Sequence, residues 1–179
     1  MPIPPSPVQI RAARPSDVPA IRRIYADHVL HGLASFEEKP PAMAEMRRRF
    51  ASVRKGGYPY LVAVVGGRVV GYCYANTYNS RSAYRYTVED SIYIASSMAG
   101  RGIGRALLTE LLAQCEALGC RQMVAVIGDS GNKASIGLHA ALGFKRSALL
   151  QSVGFKFGRW VDSVLMQRKL GQGDRSLPE

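Results

Sequence analysis

Little in this sequence serves to staple or anchor the chain. Only three cysteines, Cys73, Cys115 and Cys120, occur among 179 residues, and no two form a CxxC pair. An odd count without such spacing speaks against a disulfide framework and against a zinc site, so no metal is expected. No apolar run is long enough to cross a bilayer, so no membrane partner is expected. The start, Met1 to Pro7, is dense in proline and lacks the basic and apolar regions of a secretory signal. A disordered tail over 1–7 and a cytoplasmic location follow as expectations. Acidic residues are also scarce: 13 Asp and Glu face 24 Lys and Arg, a net charge of +11. Such a surface attracts polyanions, whether nucleic acid, anionic membrane or a polyphosphate cofactor. Apart from Arg47-Arg48-Arg49 the arginines are spread along the chain, and no nucleic-acid motif accompanies them, so no nucleic-acid partner is expected.

What is present suffices for one domain. A chain of this length, 47% apolar and 21% charged, can bury a core unaided. Val8–Ala13 reads as a strand, and Ser16 or Asp17 as the N-cap of a helix carrying Val18, Ile21, Ile24, Tyr25 and Val29 at helical spacing. A second helical pattern covers Ala42 to Arg54, with the three arginines on its solvated side. Two apolar runs around Gly66-Gly67 predict a hairpin. A tyrosine-rich loop, Asn76 to Tyr86, leads to a strand over Thr87–Ala95. Then come a glycine-rich turn over Gly100–Gly104, a long helix closed by Gly119, a strand over Met123–Ile127, and a short helix from Asn132 closed by Gly143. Phe144–Val153 and Val161–Leu170 read as two last strands. No internal repeat or linker divides residues 8–170, and a polar tail follows over 171–179.

The strongest chemical signal is Ser91-Ile92-Tyr93-Ile94 followed by Ala99-Gly100-Arg101-Gly102-Ile103-Gly104-Arg105. A strand ends, glycines let the chain turn tightly, and a helix begins. Free amides at a helix start, reinforced by the helix dipole, bind anions. The Gly-Lys-Ser/Thr ending of a P-loop is missing, and Gly-x-Gly-x-Gly is not the dinucleotide spacing.

This segment resembles the pyrophosphate-binding turn of the GNAT acyltransferases. Asn132-Lys133-Ala134-Ser135-Ile136-Gly137-Leu138-His139, running on to Gly143-Phe144, is similar to that family's asparagine-led helix, and Val69-Val70-Gly71-Tyr72 to its central strand. The resemblance spans about Val8 to Leu170. Ala99 departs from the usual Gln or Arg. Within the family, Thr87-Val88-Glu89, Ser135 to His139 and Val153 to Asp162 resemble the phosphinothricin and methionine sulfoximine N-acetyltransferase branch.

The resemblance implies a single α/β domain with a mixed, mostly antiparallel sheet flanked by helices and splayed where the cofactor enters. It implies acetyl-CoA as co-substrate, the primary amine of a small amino-acid-like substrate of the phosphinothricin, methionine sulfoximine or methionine sulfone type as acceptor, and a homodimer. Ile92, Tyr93, Ile94, Gly100, Arg101, Gly102, Ile103, Gly104, Arg105, Asn132 and Ser135 would hold the cofactor. The oxyanion donor would be a backbone N–H near Ile94. Glu89 would be the base, and His139 would either protonate the leaving thiolate or assist deprotonation. Asp90 points to the opposite face if the strand alternates, and is the weaker candidate. His28 and His31 have no motif around them. Phe36, Arg81 and Tyr84, with Glu89, would bind the substrate, and Arg85 competes with Arg81 for its carboxylate. Rival acceptors are a protein N-terminus, an aminoglycoside or a polyamine. Non-enzymatic rivals are a basic nucleic-acid-binding module and a CoA-binding regulatory domain.

Overall fold

A computed structural model describes residues 7–178. Among the described residues seven strands form one sheet: β1 (Gln9–Ala12), β2 (Tyr60–Val65), β3 (Arg68–Thr77), β4 (Thr87–Ile94), β5 (Gln122–Gly128), β6 (Lys145–Lys156) and β7 (Arg159–Lys169). Their order is β1-β2-β3-β4-β5-β7-β6. Only the central β4–β5 neighbours run parallel, as the strand–helix–strand crossover between them requires. Four helices cover the sheet: α1 (Val18–His31), α2 (Met43–Lys55), α3 (Ile103–Ala117) and α4 (Lys133–Ala141).

Strand alternation divides the core in two. Val62, Tyr60 and Tyr72 meet α1 and α2 through Ile21, Val29 and Phe50. Leu61, Cys73, Val88 and Met123 meet α3 through Leu107, Leu108 and Leu111. The first face is aromatic: the Tyr60 ring stacks on Tyr74 at 4.8 Å, and Tyr72 on Tyr93 at 5.4 Å. Each such pair adds about 0.5–1.5 kcal/mol beyond its burial.

Three local readings shift. Asp17 does sit at the α1 N-cap, but its side chain makes no cap bond there. The carboxylate instead accepts from Arg11 at 2.7 and 2.9 Å and from the Arg14 amide at 2.8 Å, which ties β1 to the helix start. The arginine run is not wholly solvated: Arg48 and Arg49 share Glu45, and Arg49 reaches Glu37 at 2.6 Å. Those two guanidinium groups hold the Glu45 carboxyl down at about 2. The last two strands run on to Lys156 and Arg159, because Phe157-Gly158 turns the chain with both residues at positive φ. Residues 1–6 of the expected N-terminal tail lie outside the described residues. In the C-terminal segment, Arg121 donates to Gly173, Ser176 and Leu177 at 3.0–3.2 Å.

Candidate active site

β4 lies at the sheet's centre, and its second half borders a gap. Thr87–Asp90 pair with Gln122–Ala125, and beyond those residues β4 and β5 part. Pairing with β3 continues to Ile94. Tyr78 N donates to Thr87 O, and Ala95 N to Val70 O. Odd-numbered residues of β4 therefore bond to β3, and alternation turns the N–H and C=O groups of Ile92 and Ile94 into the gap. Tyr93, between them, spends its backbone on β3, and its ring packs on Tyr25, Tyr72 and His28. The far wall of the gap comes from Ile127, Gly128, Asn132 and Ser135.

At the outer end of the gap the chain makes a short turn over Ser96–Met98 and enters α3 through Gly102. Gly102 adopts φ +76°, which side-chain-bearing residues rarely adopt, and a Cβ there would meet nothing within 4 Å. The helix has no side-chain cap and no acidic residue in its first turn. Its leading amides are open, with Arg101 and Arg105 exposed on either side. Gly104 differs from Gly102. A Cβ there would approach Leu138 to 3.1 Å, so its bareness lets α3 pack on α4. Ile103 is buried in the core beneath the turn. Asn132 caps α4, accepting from Ser135 N at 3.1 Å, and so fixes the second wall.

Glu89 and His139 are not brought together. Glu89 is half-buried on the α1/α2 face, opposite Asn76 of β3. Burial, and then the charge of Asp90, push its carboxyl above the ordinary range. Asp90, one residue on, lies on the α3/α4 face and meets His139: Nε2 stands 3.1 Å from Oδ2. The other ring nitrogen, Nδ1, donates to Ser135 O at 2.7 Å and lies 3.4 Å from Ser135 Oγ. The two side chains are 2% and 1% exposed. Burial opposes a charge on His139, but the Asp90 hydrogen bond and charge, with the Ser135 carbonyl, outweigh it and raise the imidazole above its usual value.

The substrate candidates are dispersed. Phe36, on the loop between α1 and α2, sits over Gly154 of β6; a Cβ on Gly154 would fall 2.5 Å from its ring. Lys156 pins the same loop, with Nζ donating to Gly32 O at 2.9 Å and Ser35 O at 2.7 Å. Arg81 and Tyr84 are exposed on the loop before β4, with Tyr84 edge-on to Tyr78. Arg85 is engaged by Ser82 O and the Tyr86 ring.

Three functional candidates escape sequence reasoning. Alternation sends Asp90 away from Glu89, but only the tertiary position of α4 makes it the partner of His139. Lys156 carries no local signal of burial. His28 has no motif, yet its Nε2 donates to Ile94 O at 2.8 Å on the gap side of β4.

Residues 21–144 match the acetyltransferase (GNAT) family. The chain is 58% identical over 170 residues to phosphinothricin N-acetyltransferase of Alcaligenes faecalis, covering 95% of this chain and 86% of that one. It is 41% identical to L-methionine sulfoximine/L-methionine sulfone acetyltransferase of Pseudomonas aeruginosa, covering 90% and 94%. The crystal structure of a GNAT superfamily phosphinothricin acetyltransferase from Sinorhizobium meliloti, in complex with AcCoA, superposes with a TM-score of 0.93 at 48% identity, covering 96% of this chain and 93% of that one.

Proposed function

The chain belongs to the acetyltransferase (GNAT) family as an acetyl-CoA-dependent N-acetyltransferase, and we propose that its acceptor is the primary amine of a free amino-acid-like substrate of the phosphinothricin, methionine sulfoximine or methionine sulfone type. The observation that carries this reading is Glu89, a half-buried carboxylate held above its ordinary pKa on the strand that opens into the gap.

The residues fit acetyl-CoA at two points. The open amides of α3, with empty space over Gly102, suit a pyrophosphate, and Arg101 and Arg105 add positive charge. The outward N–H and C=O groups of Ile92 and the N–H of Ile94, across from Asn132 and Ser135, suit the amides of a pantetheine arm. When bound, acetyl-CoA supplies a thioester carbon open to attack by an amine.

Glu89 takes the proton that the amine loses as it attacks. Its raised pKa brings it nearer the amine's own, which favours a base working near neutral pH. The Ile94 N–H, turned toward the gap, is the donor we assign to negative charge developing on the carbonyl oxygen. The Arg81 guanidinium makes no hydrogen bond or ion pair among the described residues, whereas Arg85 is engaged. Arg81 is therefore the better receiver of a substrate carboxylate, with Tyr84 and Phe36 as aromatic walls.

Val153, Phe155, Phe157 and Trp160 are each more than half exposed along the last hairpin. An apolar stripe of that kind favours association, and a homodimer would cover it. No helix among the described residues is long and apolar enough to cross a membrane, and we read the enzyme as cytoplasmic.

The test is a panel of amines with acetyl-CoA, read by thiol release, with size measured by light scattering. Turnover of methionine sulfoximine, methionine sulfone or phosphinothricin supports the reading. Turnover confined to aminoglycosides, polyamines or peptide N-termini overturns it.

A further inference from the structure

We propose that Asp90 is a positioning residue for acetyl transfer: it fixes His139 as an imidazolium, which makes His139 a resident positive charge beside the gap and excludes it as the base. The inference rests on the acetyltransferase reading for its purpose, though not for its geometry.

Two acceptors flank the ring. Ser135 O, 2.7 Å from Nδ1, is a carbonyl and can only accept, so Nδ1 carries a hydrogen. Asp90 Oδ2, 3.1 Å from Nε2, accepts as well when ionised. One proton lies between these last two groups, and with Asp90 ionised it resides on the ring. The ring therefore donates from both nitrogens and keeps no lone pair with which to accept a proton. Burial of both side chains leaves no bulk water to take over either bond. Phe144 closes the ring edge-on, with centroids 5.0 Å apart.

An ionised Asp90 also bears on the groups around it. Glu89, next along β4, feels Asp90 as a negative neighbour. So do the Cys73 thiol of β3 and the Cys115 thiol of α3, both held neutral mainly by other causes: burial for Cys73, and the Cys120 hydrogen bond with burial for Cys115. Cys73, Cys115 and Ser135 are neighbours of the pair on β3, α3 and α4, and Glu89 lies on the opposite face of β4.

One further atom of the pair is left without a partner. Asp90 Oδ1 is the single buried side-chain nitrogen or oxygen without a hydrogen-bond partner among the described residues. It belongs to a residue that lines the gap. A buried acceptor lacking a donor is costly, and an N–H or S–H group entering the gap satisfies it. Asp90 thus serves two groups, His139 through one oxygen and the entering donor through the other. Negative charge on a sulfur leaving in the gap is then met by the His139 cation behind it.

The experiment is a nitrogen-detected NMR titration of His139 in the free, full-length protein, followed by pH profiles of kcat. Both ring nitrogens of the wild type should be protonated at pH 7. Asp90→Asn should move the His139 midpoint down and shift the alkaline limb of kcat down with it, while the acidic limb, which belongs to Glu89, stays in place. Asp90→Asn and His139→Gln should each slow turnover on the order of 100-fold, and the double variant should be no slower than the slower single one. A wild-type ring with one bare nitrogen at pH 7 overturns the proposal, and so does an Asp90→Asn variant that moves only the acidic limb. If the variant does not fold, the wild-type spectrum alone still decides. The titration needs no substrate, so a protein that acetylates nothing but keeps a doubly protonated His139 refutes the enzymatic reading and leaves the ion pair standing. A turning-over enzyme with a neutral His139 refutes the pair alone.

Discussion

Glu89 and Asp90 are consecutive carboxylates on one strand, and they live in different worlds. Glu89 lies on the face roofed by α1 and α2, half-buried, its carboxyl pushed up by burial and by its neighbour. Asp90 lies on the face roofed by α3 and α4, closed in by an imidazole. The period of two in a strand is enough to separate them. On the proposed reading, one can change its protonation state and the other holds a cation. Two like groups side by side acquire different tasks because each face of the sheet has its own roof.

The largest expected effect breaks the Glu89 half of this contrast. Glu89→Gln keeps the shape and removes proton acceptance, so kcat/KM near neutral pH should fall by about two to four orders of magnitude while CoA affinity is retained. The loss should shrink at high pH, where more of the amine is already neutral. Wild-type kcat/KM across the whole pH range would remove Glu89 from the chemistry, and a defect confined to KM would make it a substrate anchor.

Asp90→Ala tests the other half through stability. It strands a buried imidazolium, so denaturant unfolding should show a loss of about 3–5 kcal/mol. A loss below about 1 kcal/mol would mean that the pair carries no charge.

A third measurement separates the two groups along the pH axis. His139 is raised, so the stability it shares with Asp90 is fully present below the ordinary imidazole value and disappears as pH rises through the folded one. Glu89 is raised as well, so its ionisation costs stability as pH rises from the ordinary carboxyl value through the folded one. Unfolding free energy against pH should therefore fall in two steps, an acidic one absent in Glu89→Gln and a near-neutral one absent in His139→Gln. A single step lost in both variants would show the two faces to be coupled.

The smallest effect is the most pointed. At neutral pH Glu89→Gln should raise Tm, by no more than about 2–4 °C, while activity collapses. A fall in Tm would show that Glu89 is paired in the native state.

The sequence carried the fold well. Helical and alternating patterns, Gly66-Gly67 and the glycine-rich turn gave the elements in order, and resemblance gave the sheet's splay. The candidate site was legible where the proposed contacts come from backbone, as at Ile92, Ile94 and Gly102, because a strand leading into a glycine turn is a local pattern. It was less legible where function depends on what lies above a strand. Alternation predicted that Asp90 turns away from Glu89, but nothing local says that α4 will lay His139 over it. The bond from His28 to Ile94 spans 66 positions of sequence and belongs to the same class. Lys156 shows the limit from the other side: a lysine in an edge strand reads as solvent-facing, and only the folded loop supplies the two carbonyls that bury it.

The parting of β4 from β5 also gives one strand two lifetimes. Amides on the paired stretch beside Gln122–Ala125 sit in the middle of a seven-stranded sheet. The Ile92 and Ile94 amides, a few residues further on, have no strand across from them. Hydrogen–deuterium exchange in the free protein should cross this strand as a sharp boundary, slow at Asp90 and fast at Ile92 and Ile94, although all three belong to the centre of the fold. A ligand that lays its own acceptors along that edge would erase the boundary, so the exchange rate of two backbone amides becomes an occupancy gauge that needs no turnover.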